Sequence, residues 1–171
     1  YIGSYGHLNV IRYVHPISNR YNVGSIVDGM SNRVRFEYDY LMPTLTGNHA
    51  NDFFTLDNGQ TDANRNIFSR AMPIKALKKA VTDNPYAGTP SVETRYRYSN
   101  VMIHTKGHGI LGFTDITTES YVSNVYKGKS IKRFSTTDLG NKCQSVFKEA
   151  LAYGPNNNLI QRTECSYAVC Q

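Results

Sequence analysis

The chain has 171 residues, enough for one domain with a sizeable core or two small ones. It is 40% hydrophobic and 19% charged, and no apolar run approaches the roughly 20 residues of a membrane-spanning helix. The net charge of +6 is dispersed: its densest runs, Lys75, Lys78, Lys79 and Lys127, Lys129, Lys132, Arg133, read as solvated strand faces rather than a nucleic-acid surface.

Thirteen tyrosines and no tryptophan point toward strands. Residues 7–14 (HLNVIRYV) read as a strand, interrupted by Pro16 and Asn19. Residues 20–28 resume a strand that runs into the turn signal Asp28-Gly29. Residues 33–41 (RVRFEYDYL) alternate cleanly, with Val34, Phe36, Tyr38 and Tyr40 on one face and Arg33, Arg35, Glu37 and Asp39 on the other. Together 20–41 predict a hairpin. Residues 43–66 form a long polar insertion loop rich in Asn, Asp, Gly and Thr. Its small apolar island, Phe53, Phe54 and Leu56, predicts a short strand, and the segment is the expected seat of mobility.

Two readings stay open over 71–82 (AMPIKALKKAVT). Ile74, Leu77 and Val81 recur at helical spacing, while Met72, Ile74 and Ala76 alternate. Residues 84–91 are a loop. Residues 94–116 carry the strongest strand grammar: Tyr96 and Tyr98 share one face, Arg95 and Arg97 the other, then Val101 and Ile103 continue. After a turn, Gly107, Gly109 and Gly112 punctuate an apolar strand, which marks a bulge, a bend or a close backbone approach. A strand to about Tyr126, a turn at Lys127-Gly128 and a Lys-rich strand through Phe134 follow. Residues 137–153 are again open between a helix capped by Thr137 or Asp138 and a strand. Gly154 to Asn158 is a loop, and 159–169 is a strand.

The residues carry no catalytic constellation. His104 and His108 share a strand face but sit about 13 Å apart, too far to hold one ion. Gly107-x-Gly109-x-x-Gly112 lies between strands, whereas a dinucleotide site needs a strand before it and a helix after it. Asp57-Asn58-Gly59, with Asp62 and Asn64, lacks the spacing and closing glutamate of a calcium loop. No cofactor and no metal is expected. Cys143, Cys165 and Cys170 form no CxxC pair; a bond from Cys143 to either of the others and three free thiols both fit. The tyrosines admit two roles, cross-strand packing or an exposed glycan-binding surface of Tyr38, Tyr40, Tyr96 and Tyr98.

Two stretches resemble a known family. Asp28-Gly29-Met30-Ser31-Asn32, followed by Phe36-Glu37-Tyr38-Asp39-Tyr40, looks like a unit of Rhs/YD-repeat proteins. Tyr96-Arg97-Tyr98, His104 and Gly107-His108-Gly109-Ile110-Leu111-Gly112-Phe113 are similar to the pre-repeat β region of SpvB-like and insecticidal toxin-complex B-component proteins. The sequence departs from the pattern at Met30-Ser31, where a glycine commonly precedes the Asn, and in the polar 43–66 insertion. In this resemblance Asp28, Gly29, Asn32, Gly107, Gly109, Leu111, Gly112 and Phe113 are structural motif residues. It implies an all-β, mainly antiparallel fold of successive hairpins in a curved or sandwich-like sheet, with at most one or two short helices. It therefore implies strand at 71–82 and 146–153. It further implies that 1–171 is a single β-rich segment of a larger secreted or cell-surface bacterial protein. Such a segment is not an enzyme. It contributes hairpins to a scaffold that houses or presents another polypeptide. The partners implied are neighbouring hairpin regions, and exposed strand edges predict dimerisation.

Overall fold

The computed structural model describes residues 10–12, 22–43, 52–56, 66–83, 86, 89–107, 109–138 and 143–166, with the backbone alone at 10–12, 136–138 and 143–144. Among these residues there is no helix. The elements are β1 (Val10–Arg12), β2 (Ser25–Val27), β3 (Arg33–Leu41), β4 (Phe54–Thr55), β5 (Ile67–Arg70) and β6 (Met72–Asp83). They continue with β7 (Val92–His104), β8 (Gly109–Val122), β9 (Val125–Asp138), β10 (Cys143–Tyr153) and β11 (Leu159–Glu164). All eleven belong to one sheet, ordered β1-β2-β3-β6-β7-β8-β9-β10-β11, with β4 and β5 on β7. Only β4 pairs parallel; the other strands pair antiparallel. The sheet is open, and the all-β expectation holds.

Over their described residues both ambiguous segments are strand from Met72 and from Cys143 onward. In β6, Lys79 to Thr82 pair with β7 while the length of the strand pairs with β3. Hydrogen bonding to two neighbours outweighs the helix preference of Lys and Ala. In β10 the strand lies between β9 and β11, and β10 with β11 forms the hairpin implied for 146–169.

Long β7 organises the molecule. One edge pairs with β8 from Val92 to His104. The other edge is shared by three partners in succession. β6 pairs opposite Val92–Arg95, β4 opposite Tyr98–Ser99, and β5 opposite Val101–His104. The sheet therefore forks: past Lys79 the arm made by β3 and β6 leaves β7, and the loop-borne strands β4 and β5 take its place. The core fills this fork. Leu41, Phe54, Tyr98 and Val101 are buried together, and Phe53, Leu56, Met72, Ala76, Tyr96, Phe113 and Ile116 pack around them.

The arm departs from simple alternation. The sequence pattern assigns Tyr40 to the apolar face, yet Tyr40 is 43% exposed and Leu41 is 1% exposed. Lys78 is an extra residue opposite Glu37 and Tyr38, and the register slips again between Tyr40 and Leu41, where β6 carries Pro73 and Ile74. Bulges add twist, and the twisted end of the arm turns Leu41 to the core.

One turn lies elsewhere than expected, and a second lies where Asp28-Gly29 signals it. The turn between β8 and β9 is Ser123-Asn124, both at positive φ (48° and 63°), not Lys127-Gly128. Gly128 lies inside β9, where an added Cβ would stand 2.4 Å from the Tyr153 carbonyl oxygen, so this glycine permits close approach of backbone. In the loop from β2 to β3 the left-handed residue is Ser31 (φ 64°), not Gly29. The glycine-rich strand is read correctly: Met102 pairs with Gly112 and Ile103 with Ile110, leaving Leu111 as the extra residue of a bulge. The readings for His108, Cys170 and the Asp57-Asn58-Gly59 stretch with Asp62 and Asn64 fall outside the described residues.

Candidate functional site

The four tyrosines proposed as a ligand surface do not share one groove. Tyr98 sits at the centre of the fork, 9% exposed, edge-on to Phe53 (ring centroids 5.4 Å) and tilted against Phe113 (4.6 Å). Its hydroxyl donates to the Leu77 carbonyl at 2.9 Å, tying β7 to the departing arm. Burial, with a smaller contribution from Tyr96, pushes its phenol up to about 12. Tyr96 is half-buried against the same core. Tyr38 is also half-buried; its hydroxyl donates to the Val23 carbonyl at 3.2 Å, and burial raises its phenol. Tyr40 alone of the four is exposed, and the Lys75 ammonium stands 5.0 Å above its ring. Three of these tyrosines thus belong to packing.

Tyr40 lines a groove of about 850 Å³ where the arm leaves the sheet. Asp39, Met42, Asp52, Phe53 and Lys78 also line it. Lys78 reaches Asp39 at 2.7 Å and lies 6.0 Å from the centre of the Phe53 ring. Burial raises the Asp39 carboxyl, but Lys78 and the Tyr40 N–H outweigh this and leave it below the usual range. The groove therefore offers one open aromatic face, carboxylates and an ammonium. Lys78 was not legible as a site residue, because only its bulge aims it at the fork.

The Asp28–Asn32 and Gly107–Phe113 stretches make backbone and packing contacts. Asp28 accepts from the Met30 and Asn32 backbone N–H groups, both at 2.9 Å, and from the Asn32 side chain at 2.7 Å. The Asn32 side-chain bond is the largest effect holding its carboxyl below the ordinary value. This polar cage closes the β2–β3 loop. Gly107, Gly109 and Gly112 have φ of 111°, 68° and 125°, conformations natural to glycine. Phe113 packs on Tyr98, and Leu111 is the bulge residue.

Sequence reading missed a buried polar network behind Tyr98. Asn100 is 4% exposed with φ 50°; it accepts from the Ser69 hydroxyl and donates to the Thr114 hydroxyl, both at 3.0 Å. The Thr55 and Ser99 hydroxyls pair at 2.9 Å and fasten β4. An Asn in a Tyr/Val run is the signal that could have marked it.

A ladder of ion pairs crosses one sheet face. Arg35 meets Asp83 at 2.7 Å, Lys79 meets Glu37 at 2.9 Å, and Arg97 meets Glu119 at 3.2 Å. From β8 to β11 the line runs Asp115–Arg133 (3.2 Å), Arg133–Glu149 (2.7 Å) and Glu149–Arg162 (3.2 Å), with Arg162 also on Glu164. Glu149 is 5% exposed, and its bond to Arg133, aided by Arg162, holds its carboxyl below the ordinary range. Among the described residues no three His, Cys, Asp or Glu side chains group as a metal site. The Cys165 thiol is free and exposed. Set against protein-family models, curated proteins and solved structures, the chain matches none.

Proposed function

We propose that this chain is a non-catalytic scaffold segment. In this reading it belongs to a large secreted or cell-surface protein of the Rhs/YD-repeat, toxin-B-like kind, and it contributes hairpins to a sheet that houses or presents another polypeptide. The observation that carries the reading is the use of the tyrosines. Tyr98 and Tyr96 pack in the core at the fork, Tyr38 is half-buried, and the Tyr98 and Tyr38 hydroxyls are spent on main-chain carbonyls. The strand order supports it as well. From β6 onward along the main path each strand pairs with the next in sequence, so the sheet grows hairpin by hairpin and ends open at β11. The cross-sheet ion pairs suit a load-bearing surface, because Arg35, Arg133 and Arg162 are each held by a carboxylate of a neighbouring strand.

One observation favours a second reading, a carbohydrate-binding module. Tyr40 offers an exposed ring beside Asp39, Asp52 and Phe53 in the groove at the fork. Aromatic faces stack on sugar rings, and carboxylates accept from sugar hydroxyls. A glycan array probed with the chain and with Tyr40→Ala separates the two. The scaffold reading expects no saturable signal from either protein. A saturable glycan signal that Tyr40→Ala abolishes would replace it with the binding module.

A further inference from the structure

The ladder of charges on β8 to β11 ends on an edge strand whose own charges are self-complementary. β11 is exposed on every residue from Leu159 to Glu164 and pairs only with β10 among the described residues. Edge strands are usually guarded by charged side chains, above all lysine, by proline or by a bulge. Between Gln161 and Cys165 this strand has no lysine, proline or bulge, its bulge lying before them at Ile160; its two charges there, Arg162 and Glu164, are of opposite sign and so match a second copy of the strand instead of repelling it.

The free hydrogen-bonding groups can be assigned. The Cys165 N–H donates to the Lys148 carbonyl at 2.9 Å, so Cys165 faces inward. In an antiparallel pair alternate residues direct both backbone groups to the same neighbour. Thr163 and Gln161 therefore face β10, and Arg162 and Glu164 direct their N–H and C=O groups outward. Both charged side chains are well exposed, at 57% and 61%.

We propose that two copies of this chain join edge to edge through β11, antiparallel about a two-fold axis at Thr163. In this register each Arg162 lies directly opposite the partner's Glu164, and the outward backbone groups of these residues bond to one another. A register centred on Arg162 would set two guanidinium groups face to face. One centred on Gln161 would pair Arg162 with Ile160 and leave the Glu164 charge opposite Asn158. Only the Thr163-centred register of these three matches opposite charges. It also continues the existing ladder, since Arg162 already bridges Glu149 and Glu164 within the chain. Two sheets become one continuous sheet with the ion-pair line running through the junction.

The register yields a sharp test. Thr163 meets the partner's Thr163 as a non-hydrogen-bonded pair, with Cα atoms about 4.5 Å apart. That separation lies within the range a disulfide spans, about 4.4–6.8 Å. With Cys143, Cys165 and Cys170 replaced by serine, Thr163→Cys should oxidise to a covalent dimer. Gln161→Cys should not, because the two sulfurs would lie about 13 Å apart along the strands. Light scattering over a concentration series should show a dimer of the unmodified chain. Arg162→Glu and Glu164→Arg, which each set like charges opposite one another twice, should each weaken it by roughly tenfold. The combined Arg162→Glu/Glu164→Arg exchange should restore it, and circular dichroism checks that each variant is folded. A chain monomeric at every concentration overturns the proposal. So does cross-linking at Gln161→Cys in place of Thr163→Cys, or a double variant no tighter than the singles.

Discussion

Tyr98 is a side chain committed to packing instead of to the surface. Its ring fills the fork and its hydroxyl reaches Leu77 across the gap. Its phenol ionises near 12 against an ordinary 10 because burial disfavours the anion. The sign follows from proton binding. Between pH 10 and 12 the unfolded chain loses this proton and the folded chain keeps it, so stability falls as pH rises through that window. We expect Tyr98→Phe to lose about 1 kcal/mol near neutral pH, because the Leu77 carbonyl loses a donor. The deficit should shrink or reverse by pH 11. Urea unfolding of both proteins at pH 8 and pH 11 checks this; a constant difference would place the phenol in water. Ser31 gives a second lesson at this scale. Asp28-Gly29 identified the loop correctly, but the left-handed position fell on Ser31, where Asp28 and Asn32 hold the chain by side-chain bonds.

Among the elements, β4 is the short strand expected at the Phe53-Phe54 island, and its pairing is the most consequential. Two residues of a polar loop, Phe54 and Thr55, pair parallel with Tyr98 and Ser99. Phe54 is 1% exposed, and the Tyr98 N–H donates to the Phe53 carbonyl at 3.0 Å. The strand fills the edge that β6 vacates and β5 does not reach. Phe54→Ala should destabilise the protein by about 3–5 kcal/mol, the cost of emptying a well-packed aromatic site. Denaturant midpoints measure the loss, and proteolysis after Phe53 should become faster. A change under 1 kcal/mol would mean the fork closes without β4. The Phe53-Phe54 island was visible in the sequence as apolar residues in a polar stretch. Its partner was not, because the pairing joins residues 44 apart along the chain, from Phe54 to Tyr98.

For the whole molecule, three carboxylates held by hydrogen bonds and cations set the response to acid. Glu149, Asp39 and Asp28 all hold their protons less tightly in the folded chain than ordinary carboxyls do. Their contribution is present above the unfolded values and is lost as pH falls through the lowered folded ones. Stability should therefore decline steadily below about pH 4. Glu149→Gln should be less stable than the parent at pH 6, since Arg133 and Arg162 lose a shared carboxylate, and should show a shallower acid decline. Denaturant unfolding from pH 6 to pH 2 measures both. Equal slopes would remove Glu149 from the account.

Read residue by residue, the chain's own pattern determined most of the strands, the β2–β3 hairpin and the irregularity in the glycine-rich strand that the structure realises as a bulge at Leu111. Alternation, turn residues and glycine placement are local, and local sterics and solvation act on them directly. Tertiary structure decided the rest. It chose strand for 72–83 and 143–153, where two neighbours offered backbone partners that an isolated helix face could not match. It also turned Leu41 rather than Tyr40 inward, buried Tyr98 and left Tyr40 beside the groove. Each of these depends on where the arm of β3 and β6 leaves β7. That point is set by contacts between residues far apart in sequence, which no local pattern records.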